Sequence, residues 1–402
     1  MNPVVAFVVV MLVWTISEFV ARKTRSLLSS LFVASLIFLV GFLTGLFPED
    51  LLASSSLLAL AGVVVGFIIV HLGTMISLDD FKKQWRTLLI GIATVVGIGV
   101  LLLVAGLLFG PDARVDEYGE LIANGRDFVI AGTGALSGGT ISVLLIQESA
   151  LGVGLTAIAI FPVLIAAIQG LIGFPLTSII LRREATRLKG EYRAGTLAPA
   201  AKAVEEQKET GRLPAFLQNT PGTLFIVGVV VLAAIGLNNL TDGTLNTFVM
   251  ALLFGIILRT TKVFKPSVLA GTDSLGLMML AILILVFGPL ATVDLADLLA
   301  LWKPLLLAFI FGIAGIVLFS AVTGKLLGYS IPMSIAIGLT SLYGFPGTMI
   351  LSQEAAKGAG ETPEEVAAIE GVILPKMIVA GFSTVTITSV IVTGIIASGI
   401  GT

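Results

Sequence analysis

The sequence predicts an all-α polytopic membrane protein made of two inverted repeats of five transmembrane helices, each with a glycine-rich re-entrant hairpin. Three observations lead to this fold class. First, the 402 residues are 56% hydrophobic and only 12% charged, whereas about a quarter of the residues in a soluble domain are charged. Second, the apolar residues form blocks of about 15–25, the length that crosses a bilayer core of roughly 30 Å. Third, the chain contains an internal repeat.

Composition also excludes several functions. The net charge of −2 gives no basic surface for nucleic acid. The chain has no cysteine and one histidine, so we expect no thiolate or histidine metal site and no cofactor. There is no Walker motif for ATP. No nucleophile or acid–base pair is duplicated, so we expect a protein that is not an enzyme.

Six apolar blocks precede a polar stretch and six follow it. The blocks of the first half are Pro3–Val20, Leu27–Phe47, Leu57–Ile76, Thr87–Leu108, Phe128–Gln147 and Gly152–Leu181. Those of the second half are Thr223–Leu240, Thr247–Leu258, Leu275–Val293, Leu305–Leu327, Ile331–Leu351 and Val372–Ile396. The basic cluster at Arg22, Lys23 and Arg25 follows the first block, so this block is predicted to be a spanning helix and not a cleaved signal. We therefore predict repeats over 1–181 and 223–402, joined by a cytoplasmic linker over 182–222.

The repeat is visible in matching segments. "LDDFKKQW" (Leu78–Trp85) matches "LADLLALW" (Leu295–Trp302) position for position. "GTGALSGGTISVLLIQESA" (Gly132–Ala150) matches "GLTSLYGFPGTMILSQEAA" (Gly338–Ala356) without a gap. Internal repeats of this kind are typical of secondary transporters.

Positive charges predict that the repeats are inverted. If the blocks near 128–150 and 331–356 enter the membrane and return on the same side, 19 Lys and Arg residues lie on the cytoplasmic side and 3 outside. If every block crosses, the better split is only 14 to 8. Each half then has five crossings, with both termini outside. Glycine allows the reversal of the chain. The alternative is that Gly138 and Gly139 only permit close helix packing.

The candidate binding residues lie at the two predicted hairpin tips and on nearby helices. Backbone amides at broken helices suit a carboxylate, and hydroxyls with carbonyls suit Na⁺. The tip residues are Ser137, Gly138, Gly139, Thr140, Ser142, Tyr343, Gly344, Phe345, Pro346, Gly347 and Thr348; the helix residues are Gln169, Ser383, Thr384 and Thr386. For the tips the alternative is a structural hairpin, and for the hydroxyls of the last helix it is a bond to a carbonyl one turn back.

Several other polar residues allow either a functional or a structural role. Pro162 and Pro375 match between the halves and predict a kink beside the site, or else a helix start. His71 is either a proton relay or a structural side chain. Glu148 and Glu354 are duplicated and are expected to be solvated caps, with an ion site as the alternative. Glu18 is expected to reach the interface or a dimer contact, and Trp85 and Trp302 to mark the interface belts.

Several motifs resemble the bacterial glutamate:sodium symporter family. These are "AGTGALSGG" (Ala131–Gly139), "GLIGFP" (Gly170–Pro175), "LADLLALWKP" (Leu295–Pro304), "YGFPGT" (Tyr343–Thr348) and "LPKMIVAGF" (Leu374–Phe382). The 2-hydroxycarboxylate transporters are more distantly similar. The resemblance implies a homodimer with outside termini that takes up glutamate with Na⁺. The first tip departs from the family pattern in reading "SGGTIS", without a histidine-containing glycine run.

Together these observations predict a secondary active transporter of the bacterial cytoplasmic (inner) membrane. Its substrate is expected to be glutamate or a similar small carboxylate, and its partners are the lipid bilayer and a second copy of the chain. It would use alternating access with Na⁺ as the coupling ion, since one inward charge gains roughly 2.3 kcal/mol per 100 mV. The alternatives are a carrier for another organic acid or amino acid coupled to H⁺, and a channel.

Overall fold

A computed structural model describes residues 1–75, 84–109, 114–115, 121–123, 125–197, 212–241, 245, 247–382, 384 and 388–401. The first half contains α1 (Pro3–Lys23), α2 (Ser30–Leu43), α3 (Leu51–Ser54), α4 (Leu57–Met75), α5 (Trp85–Phe109), α6 (Gly125–Leu136), α7 (Thr140–Gly152) and α8 (Thr156–Arg193). Between α5 and α6, β1 (Arg114–Val115) pairs antiparallel with β2 (Leu121–Ala123).

All the regular secondary structure in the described part of the second half is helical. It contains α9 (Thr220–Leu240), α10 (Thr247–Thr260), α11 (Leu275–Phe287), α12 (Leu295–Ala300), α13 (Trp302–Leu326), α14 (Ile331–Leu339), α15 (Gly347–Ala359), α16 (Pro363–Phe382) and α17 (Ser389–Ala397). Short 3-10 turns occupy Ala215–Leu217, Gly288–Thr292 and Thr340–Leu342.

Seven helices of the described chain are long and apolar enough to cross a membrane. They are α1, α4, α5, α8, α9, α13, and α11 with its 3-10 extension to Thr292. Their outward surfaces carry large apolar side chains, such as Leu107 and Leu232, which are 78% and 66% exposed. A surface of this kind is expected where a chain faces lipid or another protein. The chain therefore has the architecture of a polytopic membrane protein.

The helices of the two halves start at regularly spaced positions. The starts at Pro3, Ser30 and Trp85 recur at Thr220, Thr247 and Trp302, with the same spacing between them in both halves. The starts of α6, α7 and α8 recur in α14, α15 and α16, where the spacing is again conserved to within one position. The order and spacing of the helices thus repeat along the chain in step with the sequence motifs.

The equivalent helices α5 and α13 pack against each other in opposite directions. Arg86 at the start of α5 donates to the carbonyl oxygen of Leu327, just after α13, at 3.2 Å. Near the other end of α5, the ring of Phe109 lies 5.8 Å from that of Phe311. At the crossing, a Cβ on Gly97 would lie 2.7 Å from the Gly315 carbonyl oxygen, and a Cβ on Gly315 would lie 2.3 Å from that of Gly97. Two glycines therefore allow backbone contact, as in close-packed membrane helices.

A second group of helices packs around α4, which contacts α9, α10 and α11. Here Gly73 and Gly255 allow close approach, because a Cβ on Gly73 would lie 2.4 Å from the Leu252 carbonyl oxygen. The long helix α8 connects this group with the rest, since it packs against α2 as well as α6, α7, α14, α15 and α16.

Helix α8 continues beyond the predicted block end at Leu181 as far as Arg193 and so occupies the first part of the predicted linker. The added residues are mostly good helix formers. Arg187 also forms ion pairs with Glu184 in the preceding turn and with Glu191 in the following turn. Such pairs stabilise a helix outside the membrane, which apolar periodicity does not reveal.

The last predicted block, Val372–Ile396, is also different in the structure. α16 begins at Pro363 and ends at Phe382, and α17 begins at Ser389. In the interval between them, the described positions Thr384 and Thr388 have π-helical geometry. Four of its positions, 383 and 385–387, lie outside the described residues.

Candidate functional site

The first break, defined as Ser137–Gly139, separates α6 from α7. Gly138 and Gly139 have φ angles of 88° and 89°, a region that only glycine adopts readily. Gly139 stands before α7 and has no side chain that can accept from the first amides of that helix. The positive end of α7 is thus left to backbone or ligand partners.

The second break, defined as Tyr343–Pro346, separates the 3-10 turn Thr340–Leu342 from α15. Gly344 has a φ angle of 55°. Pro346 precedes α15, and its ring offers no acceptor for the amides of that helix. Both breaks therefore end in the same way, with a helix N-terminus that has no side-chain cap.

Helix α8 lies against both broken segments. It packs on α6 and α7 of the first segment and on α14 and α15 of the second. A Cβ on Gly173 would lie 3.0 Å from Leu342 Cβ and 3.0 Å from Tyr343 Cδ1. The neighbouring Phe174 ring lies 5.4 Å from the Tyr343 ring. The second break thus fits against α8 only because position 173 has no side chain.

Several buried polar atoms near the breaks have no hydrogen-bond partner in the part of the chain that the structure describes. They belong to Gln169, Thr177, Ser178, Ser341, Tyr343, Thr348, Thr384 and Thr393. Gln169, Gly173 and Thr177 are spaced one helical turn apart and so share one face of α8. The Tyr343 hydroxyl faces the Thr177 hydroxyl without reaching ordinary hydrogen-bond geometry. Each unsatisfied buried group costs about 1–3 kcal/mol, so such a concentration points to a place for water, an ion or a ligand.

The last two helices lie near different breaks: α16 contacts the second break, and α17 contacts the helices that flank the first. A Cβ on Gly381 of α16 would lie 2.8 Å from Thr348 Cγ2, and the ring of Phe382 stacks on that of Phe345 at 5.4 Å. α17 packs on α6 and α7, where Ser142 donates from its hydroxyl to Ser389 Oγ at 3.1 Å. α16 is therefore in contact with the second break, and α17 with the helices on either side of the first break.

The two ends of each broken segment have a common neighbour. Gly401 donates its N–H to Asp127 Oδ1 at 3.0 Å, and a Cβ on Gly401 would lie 3.0 Å from Val153 Cγ2. Asp127 begins the first segment and Val153 follows its end. The common neighbour of the second segment is the C-terminal part of α8. This segment begins beside Ser330, whose hydroxyl donates to Glu184 of α8 at 2.7 Å.

The end of the second segment contacts the same part of α8. Glu361 accepts from Lys189 at 2.5 Å and from Arg193 at 2.7 Å. Arg193 also pairs with Glu365 at 2.6 Å. The pKa of Glu361 falls to about 2, chiefly through the hydrogen bond from Lys189 and then through that from Arg193.

An apolar groove elsewhere in the molecule has different chemistry. It encloses about 780 Å³ between α4, α9 and the start of α10, and its lining includes Gly66, Phe67, Gly228 and Leu232. Its lining is almost wholly apolar, and none of the unpartnered polar atoms named above belongs to it. The candidate site for a polar solute is therefore the group of unpartnered polar side chains on α8 and around the second break, and not this groove.

The structure places the predicted residues Tyr343, Gly347 and Thr348 together at the second break, while Ser142 contacts Ser389 beside the first. Gln169, Tyr343 and Thr348 have unpartnered polar atoms, as does Thr384. Ser137 instead donates to the Thr133 carbonyl oxygen at 2.6 Å, which is the alternative use of such a hydroxyl. The side chains of Thr140 and Glu148 lie outside the described residues, as do Ser383 and Thr386 entirely.

Sequence reasoning missed Ser341, Thr177 and Ser178. Thr177 follows Gln169 by about two helical turns, so its helical spacing from Gln169 and Gly173 was a usable signal. Ser341 precedes the second tip, where the structure has a tight 3-10 turn, and Ala135 takes its place in the first half, so comparison of the repeats did not select it.

Other predictions are resolved by direct contacts. Glu354 was expected to be a solvated cap, but its Oε1 accepts the Ser30 N–H at 3.0 Å and its Oε2 is shielded from solvent. Pro162 and Pro375 lie inside α8 and α16, so a helix start is the wrong reading.

The remaining polar residues have structural partners. His71 accepts the Leu269 N–H through Nδ1 at 3.2 Å, which favours a structural role. Glu18 accepts from Trp14 Nε1 at 3.0 Å. The described residues contain no group of three or more His, Cys, Asp or Glu that could hold a metal ion.

Comparison of the chain with models of known protein families and with curated proteins finds no match.

Proposed function

We propose that the chain is a secondary transporter of the bacterial cytoplasmic membrane that takes up a small carboxylate, with glutamate as the first candidate. The observation on which this proposal depends is the set of unpartnered buried polar atoms on α8, around the second break and on the last helical segments, all within the described residues. Buried polar groups without partners are expected where a polar solute binds.

Re-entrant hairpins are supported by length and by the contacts at the segment ends. α6 has 12 residues and α7 has 13. At about 1.5 Å per residue, each is shorter than a bilayer core of roughly 30 Å. Asp127 and Val153 contact the same residue, Gly401, as expected if the first segment enters and leaves on one side. The contacts of Ser330 and Glu361 with one end of α8 support the same path for the second segment.

Inversion of the repeat is supported by the pair α5–α13. These helices hold equivalent positions, since Trp85 begins one and Trp302 begins the other, and these two tryptophans also end the matching sequence segments. They run in opposite directions, and Gly97 and Gly315 contact each other's backbone reciprocally. Reciprocal contact is typical of a two-fold axis. An axis perpendicular to two spanning helices inverts one half relative to the other, as in many secondary transporters.

The chemistry of the site favours an anion together with a hard cation. The uncapped N-termini of α7 and α15 suit a carboxylate. Hydroxyl and amide oxygens, such as those of Thr348 and Gln169, suit Na⁺, which needs no thiolate or imidazole ligand. The proposal keeps membership of the glutamate:sodium symporter family, a homodimer and outside termini as expectations from the resemblance.

Uptake by purified protein in proteoliposomes tests this function. Saturable uptake of labelled glutamate that requires an inward Na⁺ gradient supports it, and a panel of unlabelled amino and organic acids identifies the preferred substrate. Uptake driven by a proton gradient alone supports the H⁺-coupled alternative. Flux that grows linearly with concentration and needs no gradient supports a channel and contradicts a carrier.

A further inference from the structure

Glu354 lies at an interface that the proposed transport site does not use. It is on α15, and its Oε1 accepts both the N–H of Ser30 at 3.0 Å and the hydroxyl of the same residue. Ser30 is the first residue of α2. One turn further along α15, a Cβ on Gly358 would lie 2.8 Å from the Arg25 carbonyl oxygen. The C-terminal end of α15 thus packs on the turn between α1 and α2.

The second carboxyl oxygen of Glu354 is not satisfied. Oε2 is shielded from solvent and has no hydrogen-bond partner within the described residues. A charged carboxylate shares its negative charge between both oxygens, so only half of the group is compensated by Ser30. A buried carboxylate that lacks full compensation is unfavourable compared with the neutral acid.

The neighbouring charges do not remove this penalty. Glu18 on α1 acts on Glu354 as a like charge, and Lys357 on α15 opposes it with a smaller effect. On α16, the Glu370 carboxylate is directed at Gln353, which donates to it at 3.3 Å. Burial and Glu18 therefore both favour the neutral acid, while the two donors of Ser30 and the Lys357 charge favour the carboxylate.

We propose that Glu354 is a proton-binding site whose protonation stabilises the docking of α15 on α2. The neutral acid still accepts from Ser30 through Oε1, so docking keeps its hydrogen bonds and loses the buried charge. When α15 leaves α2, the carboxyl group becomes solvated and ionises in the ordinary way. The contact is therefore tighter at low pH and weaker as pH rises.

The site bears on transport because α15 follows the second break directly. An equilibrium between docked and undocked α15 would make the position of the second break depend on protons. This inference goes beyond the proposed function, since it requires only the contact of two helices and no substrate.

Hydrogen–deuterium exchange of the full chain in lipid nanodiscs tests the proposal. The readout is the protection factor of amides in the first turn of α2, corrected for intrinsic exchange. A buried carboxyl titrates above its ordinary value of about 4.3, so we compare about pH 5 with about pH 8. We expect protection to be roughly tenfold higher at the lower pH. This corresponds to a difference of about one pKa unit between the docked and the undocked carboxyl group.

Variants separate protonation from simple loss of contact. Glu354→Gln imitates the neutral acid, so protection should stay high at both pH values. Glu354→Ala removes the acceptor, so protection should stay low. Glu364→Gln, an exposed carboxyl of α16, should behave as the wild type. In the infrared difference spectrum between the two pH values, Glu354→Gln should remove a protonated-carboxyl band that Glu364→Gln leaves in place.

Equal wild-type protection at the two pH values would overturn the proposal, as would an unchanged pH dependence in Glu354→Gln. The infrared carboxyl band is a second test of whether Glu354 binds a proton, and its result does not depend on how well α15 docks in the variants. Because neither readout involves a substrate, failure here leaves the transport proposal standing, and failure of transport leaves this result unaffected.

Discussion

The aromatic ring of Phe174 lies 5.4 Å from that of Tyr343, which joins α8 of the first half to the second break. The contact depends on the neighbouring Gly173, where a Cβ would lie 3.0 Å from both Leu342 and Tyr343. A helix of the first half of the chain therefore packs directly against the break in the second half.

Gly173→Leu should separate α8 from the second break. Overpacking of this kind costs about 1–3 kcal/mol, so we expect uptake to fall roughly tenfold or more. Gly190→Leu on the same helix is the matched control, because a Cβ there meets nothing within 4 Å. Initial uptake rates, normalised to the protein in the membrane, give the comparison. Equal rates in the two variants would show that this contact does not matter for transport.

Gln169→Leu distinguishes a ligand contact from a structural amide. Its Oε1 is buried without a partner in the described structure, so replacing it by an apolar group should leave the melting temperature unchanged or higher. If the amide binds substrate or ion, KM should rise roughly tenfold, since such a hydrogen bond is worth about 1.5–3 kcal/mol. A lower melting temperature with an unchanged KM would instead indicate a structural role.

Valine at the breaks should abolish uptake while the protein still reaches the membrane. Gly139→Val places a β-branched residue at a φ of 89°, where strain is about 1–3 kcal/mol. Gly347→Val brings a Cβ within 2.7 Å of the Tyr343 ring. Gly152→Val is the control, because it has free space around it. Normal uptake in both break variants would contradict the site assignment.

The ion pairs of Glu361 predict a pH dependence of stability. The pKa of this carboxyl is lowered from 4.5 to about 2 by Lys189 and Arg193. A lowered pKa means that the stabilisation is fully present above pH 4.5 and is lost as pH falls towards 2. Wild type should therefore melt higher than Glu361→Gln at neutral pH, and the difference should vanish on acidification. Because the pairs are exposed, high salt should also reduce the difference. A difference that is the same at every pH would contradict this origin.

Seven of the ten predicted crossings coincide with long apolar helices of the described chain, whereas the other three fall on α2 and α10, of 14 residues each, and on α16 with α17. Sequence alone could predict those seven helices and the two breaks, because apolar length and clustered glycines reflect local physics. It placed Gly138, Gly139 and Gly344 at breaks, where the structure has positive φ angles. The apolar pattern could not predict that α8 extends to Arg193, because the added turns are charged. Pairs of Arg187 with Glu184 and Glu191 support these turns, and Lys189 and Arg193 also contact Glu361 and Glu365 of the other half.

The environment of individual polar residues was also beyond the sequence. Glu354 matches Glu148 in the repeat and looked like an exposed cap, yet it binds Ser30, which is 324 residues away. Thr348 and Gln169 were selected by position, but whether their polar atoms have partners depends on the packing of α8 and α16 around the breaks.

The path of the two broken segments through the membrane is tested most directly by cysteine labelling, because the chain has no native cysteine. Single cysteines at Arg126 and Val153 flank the first segment, and those at Ile331 and Glu364 flank the second; all four positions are exposed. With an impermeant thiol reagent on intact cells, two re-entrant paths predict labelling of the first pair from outside and of the second pair only after the membrane is opened. Labelling of the two members of either pair from opposite sides would contradict it, because that segment would then cross the bilayer.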